Sequence, residues 1–499
     1  MRRVWVRELA GWFGALSVAL ITAAQVASSA RSELLFRDGD SLVVALFARS
    51  AASGEPMDWA MSSVLFLPES AVFAGLERIL PLDANGLLSV NAVINMLALY
   101  GALRLVAGRR REGMAPVAWS VIALGAFCTV AMTELSASRD ALELASLQLT
   151  TTYYSATVVA VVLSVGLVRR VLERGSTSLG LPIALGVTAA LSTLSNPLYA
   201  VWATVPIGML LALLTIGSRR RVRLLLLLAV LLAATALGAV GRIPLQAWIA
   251  NTGAGYAQPA RWAESLGYYA ELTAARLSTP LGALGCLIVL ALLAVAVVRT
   301  ARAPDEGSRF VAAIAWLMPV LVVIGAIALG THAARYLQPL AFAPVLALVT
   351  VPRAVGVPLR VRSVLAAAVA VLLAIGGTLS IPRLAAAAEV ADPDLTCVTD
   401  WVNASGRTGA GQFWTVRLPK LHLDDPAQLV QVDHELRGYA WLVNRHDFDV
   451  GEVTFLVEDA HTVPWNLPVP AIPDDVVDCG RYRILDLGDT TLPLGPQRS

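Results

Sequence analysis

Two carboxylates one residue apart, Asp38 and Asp40, follow the first long apolar run of a 499-residue chain. Acidic groups beside a bilayer are costly to keep there and usually serve a function. A carboxylate within hydrogen-bond reach of a hydroxyl can take its proton as the oxygen attacks a sugar's anomeric carbon. The same pair could instead hold a divalent cation, Mg or Mn, that neutralises a phosphate leaving group. The plain alternative is a solvated turn, because Asp-Gly-Asp favours turns and caps a following helix. The two short, semi-apolar segments that come next favour the chemical reading.

Other candidates lie further along. Arg335-Tyr336, beside His332 at the mouth of two apolar runs, suits bidentate hydrogen bonding to a phosphate; an arginine snorkelling at an interface is the competing reading. His332 precedes every other histidine and cannot make a metal site alone. Arg242 and Arg261, in a loop over 242–279, are candidates for phosphate or glycan contact, or simply surface charge. Tyr153-Tyr154 follows a polar loop carrying Glu134, Arg139, Asp140 and Glu143. Asn196 sits in the Ser195-Asn196-Pro197 break, which forms either a cavity wall or a tight turn between two short spans.

The elements that must position these residues are mostly apolar. Hydrophobic residues make up 57% of the chain and charged ones 15%, and the mean hydropathy is +0.67. That balance excludes an ordinary soluble domain. Runs long enough for a ~30 Å hydrocarbon core fall near 9–30, 85–107, 114–134, 152–168, 181–195, 199–217, 224–241, 280–298, 310–330, 338–352 and 363–381, about eleven spans. Loops on one side would collect twenty arginines, including Arg174 and Arg219, against five acids. By the positive-inside rule this predicts a cytoplasmic N-terminus and an external C-terminal region. A cleaved signal is the alternative reading of the first run. No phosphate-binding glycine loop or internal repeat stands out.

Residues 31–84 form a long outer loop. Ser41–Ala52 reads as an amphipathic helix presenting Leu42, Val43, Leu46 and Phe47 on one face. Trp59–Leu67 reads as a second interfacial segment that stops at Pro68. Together they would roof the outer surface. The tail, 382–499, opens on a helix over Leu384–Val390. Strands are expected at Phe413–Val416 and Val453–Val457, in a small α/β or α+β domain. Cys397 and Cys479 are the only cysteines of this tail, and an oxidising compartment would let them pair. Cys128 and Cys286 lie in apolar runs, as core packers.

An acidic motif after the first span, helices in that loop, many short-looped spans, Arg335-Tyr336 and an external tail together resemble the GT-C superfamily of membrane glycosyltransferases. The run Phe36-Arg37-Asp38-Gly39-Asp40-Ser41 to Ala48-Arg49 looks like its first-loop pattern. Asp58-Trp59, Leu67-Pro68-Glu69, Trp414, Val432-Asp433 and Tyr439–Arg445 resemble a bacterial branch. Tyr153-Tyr154 and Asn196-Pro197 depart from relatives that carry a histidine or Asp-Pro there.

The resemblance implies a mainly α, polytopic fold divided at 381/382. It also implies an inverting enzyme of the bacterial inner membrane, with Asp38 or Asp40 as base or metal ligand. The donor would be a polyprenyl-phosphate sugar, and the acceptor a glycan, lipid or protein hydroxyl. No soluble cofactor or nucleic acid enters, and membrane lipid is the medium. A surface-polysaccharide polymerase or ligase, using Arg242, Arg261, Arg335 and His332, is the first competitor. A transporter would need charges at mid-span, and the apolar runs have almost none; a scaffold would not need so long a first loop.

Overall fold

The structure, a computed structural model, describes residues 2–173, 179–216, 220–354, 356 and 358–498. Arg174 and Arg219 lie outside them. The chain is mainly helical and divides into two units.

The first unit comprises Met1–Ser32, Ser89–Ile243 and Ala254–Ala387. Among the described residues, seven helices are long and apolar enough to cross a membrane: Trp5–Ala27, Ala84–Val106, Ser155–Glu173, Arg221–Val240, Pro280–Ala301, Glu306–Ala328 and Ser363–Ala388. Several bare large apolar side chains, such as Leu226, Leu237, Leu287, Leu290, Leu372 and Leu379. That pattern suits a hydrocarbon solvent better than water.

The other four expected spans are shorter helical segments: Pro116–Met132, Gly180–Ser195, Ala200–Thr215 and Ala334–Val349. A helix of ~17 residues is only about 25 Å long. Proline accounts for part of the shortening. Pro206 follows a π-type turn at Ala200–Thr204, and Pro339 and Pro344 divide the last segment into Pro339–Phe342 and Leu346–Val349. A prolyl ring removes a donor and ends or offsets the hydrogen-bond ladder. Arg169, at the end of Ser155–Glu173, is buried and donates to the carbonyls of Val106, Val349 and Thr350. It thereby satisfies carbonyls that close packing would otherwise strand.

The second unit gathers Glu33–Leu88, Pro244–Gly253 and Ala388–Ser499. The first outer loop therefore folds with the C-terminal region, cutting across a division at 381/382. Its core sheet runs Gly495–Arg498, Arg437–Tyr439, Leu429–Val432, Gly409–Gln412, Phe455–Glu458, Tyr482–Asp486 and Asp475–Cys479. The central strand Gly409–Gln412 is parallel to both neighbours. A side chain at Gly409 would collide with the Phe455 ring, and one at Gly411 with Val416; glycine marks such close backbone approach.

Three expectations are corrected here. Phe413-Trp414-Thr415-Val416 is not a strand but the start of the helix Phe413–His422. The aromatic and β-branched composition is overruled by the crossover that two parallel strands require. Trp59–Leu67 is not an interfacial helix: Trp59–Ala60 pairs antiparallel with Val443–Asn444, and Pro68 starts the helix Leu67–Ile79 instead of stopping one. The helix Val43–Ser53 forms where expected, but Val44, Ala45 and Ala48 are as buried as Val43 and Leu46. It is a core helix, not one floating on a single greasy face.

Cys397 and Cys479 form a disulfide, with Cα atoms 5.5 Å apart and a sequence separation of 82. Closing so long a loop removes denatured-state entropy, and losing such a bond costs about 2–5 kcal/mol. Cys397→Ser is therefore expected to speed proteolysis of the C-terminal region in the full chain at least tenfold. An unchanged cleavage rate would contradict this. Cys128 is buried and Cys286 half-buried, both as free thiols.

Candidate functional site

Glu33–Arg37 forms one π-type turn, closed where the Asp38 N–H donates to the Glu33 carbonyl at 2.8 Å. Asp38 Oδ1 then accepts the N–H groups of Asp40, at 3.2 Å, and Ser41, at 3.3 Å. Asp38 thus caps the turn leading into Val43–Ser53, as a short acidic side chain does. Asp38 and Asp40 are both half-buried, while Gly39 between them is buried. A Cβ on Gly39 would lie 3.2 Å from Arg417 Cγ, 3.2 Å from Trp414 Cε3 and 3.3 Å from Phe413. The turn is pressed against the first two turns of the helix Phe413–His422, closely enough that an added Cβ would need these side chains to give by a few tenths of an ångström.

Arg417 is the unanticipated member of this group. It is fully buried, donates from Nε to the Gly39 carbonyl at 3.3 Å and from Nη1 to the Leu442 carbonyl, and lies over the Phe413 ring. Burial lowers its pKa to about 10, opposed by the charges of Asp40, Asp447 and Asp38 in that order. It remains a cation at neutral pH, so the acid turn rests on a fixed positive charge. Behind it Lys420 pairs with Asp447 at 2.8 Å, both nearly sealed from solvent. Trp414, whose Cε3 lies against Gly39, is 39% exposed.

The motifs at 58–59 and 439–445 also come together in this unit. Arg445 pairs with Asp58 at 3.0 Å, and Asn444 donates to the Pro56 carbonyl and Ser50 hydroxyl. Arg49 donates to the carbonyls of Leu421, Leu423 and Asp424.

In the first unit, Arg335 lies among aromatic rings. Its Nε donates to the Tyr154 hydroxyl at 3.2 Å, its guanidinium stands 5.8 Å from the Tyr336 ring, and Asp140 is 4.0 Å away. Tyr154 has φ +67°, a left-handed conformation that costs a non-glycine residue about 1–2 kcal/mol. Such strain persists only where surroundings enforce it. Here Trp202 packs edge-on against the Tyr154 ring while its Nε1 donates to the Tyr336 carbonyl. Tyr153 is buried, and its carbonyl accepts from Gln338 at 2.7 Å. His332 is exposed beside the Tyr268 ring.

The remaining predicted residues do other work. Arg242 donates to the Leu194 carbonyl at 2.7 Å and satisfies the end of Gly180–Ser195. Arg261 is exposed and paired with Glu264. Asn196 is buried, donating to Thr157 and accepting from the Leu198 N–H, which makes the break an Asx turn. Glu134 and Glu143 belong to a buried ionic network with Arg31 and Arg276. Among the described residues no three His, Cys, Asp or Glu side chains gather as a metal site.

No protein-family model matches the chain, and no curated protein does.

Proposed function

We propose that this chain is a membrane glycosyltransferase of GT-C type that moves a sugar from a polyprenyl-phosphate carrier to an acceptor hydroxyl. In this reading all eleven apolar segments span or enter the inner membrane of a bacterium, the N-terminus is cytoplasmic, and the second unit faces outward. The observation that carries it is the half-buried acid turn resting on a buried arginine and packed against the exposed Trp414. A carboxylate can deprotonate an acceptor hydroxyl, and an indole can stack on the C–H face of a sugar ring.

Asp40 takes the acceptor's proton as its oxygen forms a bond to the anomeric carbon. The bond from that carbon to the phosphate oxygen breaks, and polyprenyl phosphate leaves with the electron pair. Attack opposite the leaving group inverts the anomeric centre. Asp38, committed to the turn, positions Asp40 and does not itself accept the proton. The developing charge on the leaving phosphate needs a fixed donor in a water-poor setting. No step requires a metal.

The test is Asp40→Asn in reconstituted vesicles, which should lose sugar transfer; undiminished transfer would remove the acid turn from the chemistry.

A further inference from the structure

We infer that the helix Trp262–Leu277 lies along the bilayer boundary and seats one apolar stripe in lipid, a membrane contact separate from the crossing helices. The inference takes the long apolar helices of the first unit to cross a bilayer. It goes beyond the glycosyltransferase reading and does not depend on it.

The two halves of this helix rest on the ends of different apolar helices. In the first half, Ser265 donates to the Thr331 carbonyl at 2.6 Å, and the hydroxyls of Tyr269 and Thr331 bond at 2.7 Å. Thr331 lies just beyond Glu306–Ala328. In the last turn, Arg276 donates to the Thr133 hydroxyl at 3.3 Å and pairs with Glu143 at 3.3 Å and Glu134 at 3.6 Å. Thr133 directly follows Pro116–Met132. Ser278 and Thr279 then lead into Pro280–Ala301, where a side chain at Gly282 would collide with the Arg276 carbonyl. Pro280–Ala301 and Glu306–Ala328 pack together and are joined by 302–305 alone, the arrangement of an antiparallel helical hairpin. The start of one and the end of the other therefore share one end of the bundle. A helix of 16 residues, about 24 Å long, that touches this level at both ends lies across the bundle, not through it.

The sequence gives this helix three faces. Ser265, Tyr269 and Arg276 are buried, so the face packed on the bundle is the polar one. Beside it, Trp262, Leu266, Ala270, Thr273 and Leu277 recur every three or four residues in a single stripe, and all are exposed. The Thr273 hydroxyl donates to the Tyr269 carbonyl at 2.7 Å, which satisfies it within the helix and lets it face lipid. Glu264, Gly267, Glu271 and Ala275 make up the third face, also exposed. A crossing helix would not turn two glutamates toward lipid, and a helix bathed in water would not bare tryptophan and leucine in one stripe. Protein, acyl chain and water meet on three sides only at the boundary. The occupant of the stripe is lipid because the stripe is continuous with a lipid-facing surface: just past Leu277, the exposed Leu281, Leu284 and Leu287 carry it down Pro280–Ala301. Trp262 takes the headgroup depth usual for an indole.

The experiment places a nitroxide spin label at one position at a time: Leu266→Cys, Ala270→Cys and Leu277→Cys on the stripe, Glu271→Cys and Ala275→Cys on the acidic face, and Leu287→Cys as the lipid control. The full chain carries Cys286→Ala, keeps the buried Cys128 and the disulfide, and sits in vesicles of phosphatidylethanolamine and phosphatidylglycerol. Collisions with molecular oxygen, which concentrates in the bilayer, are compared with those of a water-soluble nickel chelate. All five helix positions are exposed, so labelling disturbs no core. Oxygen collisions should exceed chelate collisions several-fold at 266, 270 and 277, at a depth of about 5–10 Å. The order should reverse at 271 and 275, and 287 should read deepest. Chelate dominance at 266, 270 and 277 overturns the inference. Protection of those positions from both reagents also overturns it, since a second copy or another protein would then cover the stripe. A label at 287 that meets the chelate refutes instead the bilayer crossing on which the inference stands.

Discussion

Asp40→Asn is expected to cut sugar transfer by a factor of about a hundred to ten thousand, the contribution usual for a general base. Asp38→Asn is expected to keep most of it. The two acids differ in what the backbone asks of them. Asp38 Oδ1 accepts two N–H groups, and an asparagine carbonyl oxygen can accept the same bonds, so the turn survives the substitution. Asn at position 40 keeps shape and size but cannot take a proton. Asp38→Ala, which removes the acceptor, should fall between the two because the turn loosens. Initial rates in vesicles, normalised to inserted protein, give the comparison. If Asp38→Asn were the dead variant and Asp40→Asn the active one, the roles would be reversed.

Arg31→Met should destabilise the first unit by about 3–5 kcal/mol, the cost of breaking a buried ionic network from one side. Arg31 is 2% exposed and sits just past the first span. Nε donates to the Ser146 hydroxyl, Nη1 to the carbonyls of Ser136 and Ser138, and Nη2 to that of Glu143. The Glu143 carboxylate is 3.7 Å from Arg31 and 3.3 Å from Arg276, while Glu134 accepts the N–H groups of Ala145 and Ser146. Burial lowers the Arg31 pKa and the two glutamates oppose that drop. Removing the guanidinium strands three carbonyls and leaves Glu143 with one cation. Thermal unfolding in detergent reads the loss; a variant as stable as the wild type would show that this network is dispensable.

The long helices were legible because seven apolar runs exceed the length a bilayer requires, and length survives any uncertainty about packing. The four shorter segments were not separable from spans, because hydropathy averages over their ends and over the prolines that cut two of them. Non-local pairing was invisible. Nothing local in Trp59-Ala60 announces a partner at Val443-Asn444. Strand propensity in Phe413–Val416 concealed a helix, and with it the three-residue spacing that puts Trp414 and Arg417 on one face under the acid turn. Asp38, Asp40 and Arg335 stood out by type and place. Arg417 and Arg31 did not, since one arginine among thirty-eight basic residues carries no mark until its burial is known.

The most direct measurement is transfer of a labelled sugar from polyprenyl phosphate to an acceptor hydroxyl by the reconstituted chain, beside the double variant Asp38→Asn, Asp40→Asn inserted to the same level. The account predicts an inverted glycoside and free polyprenyl phosphate from the wild type, and neither from the variant. Equal transfer by both proteins would contradict it.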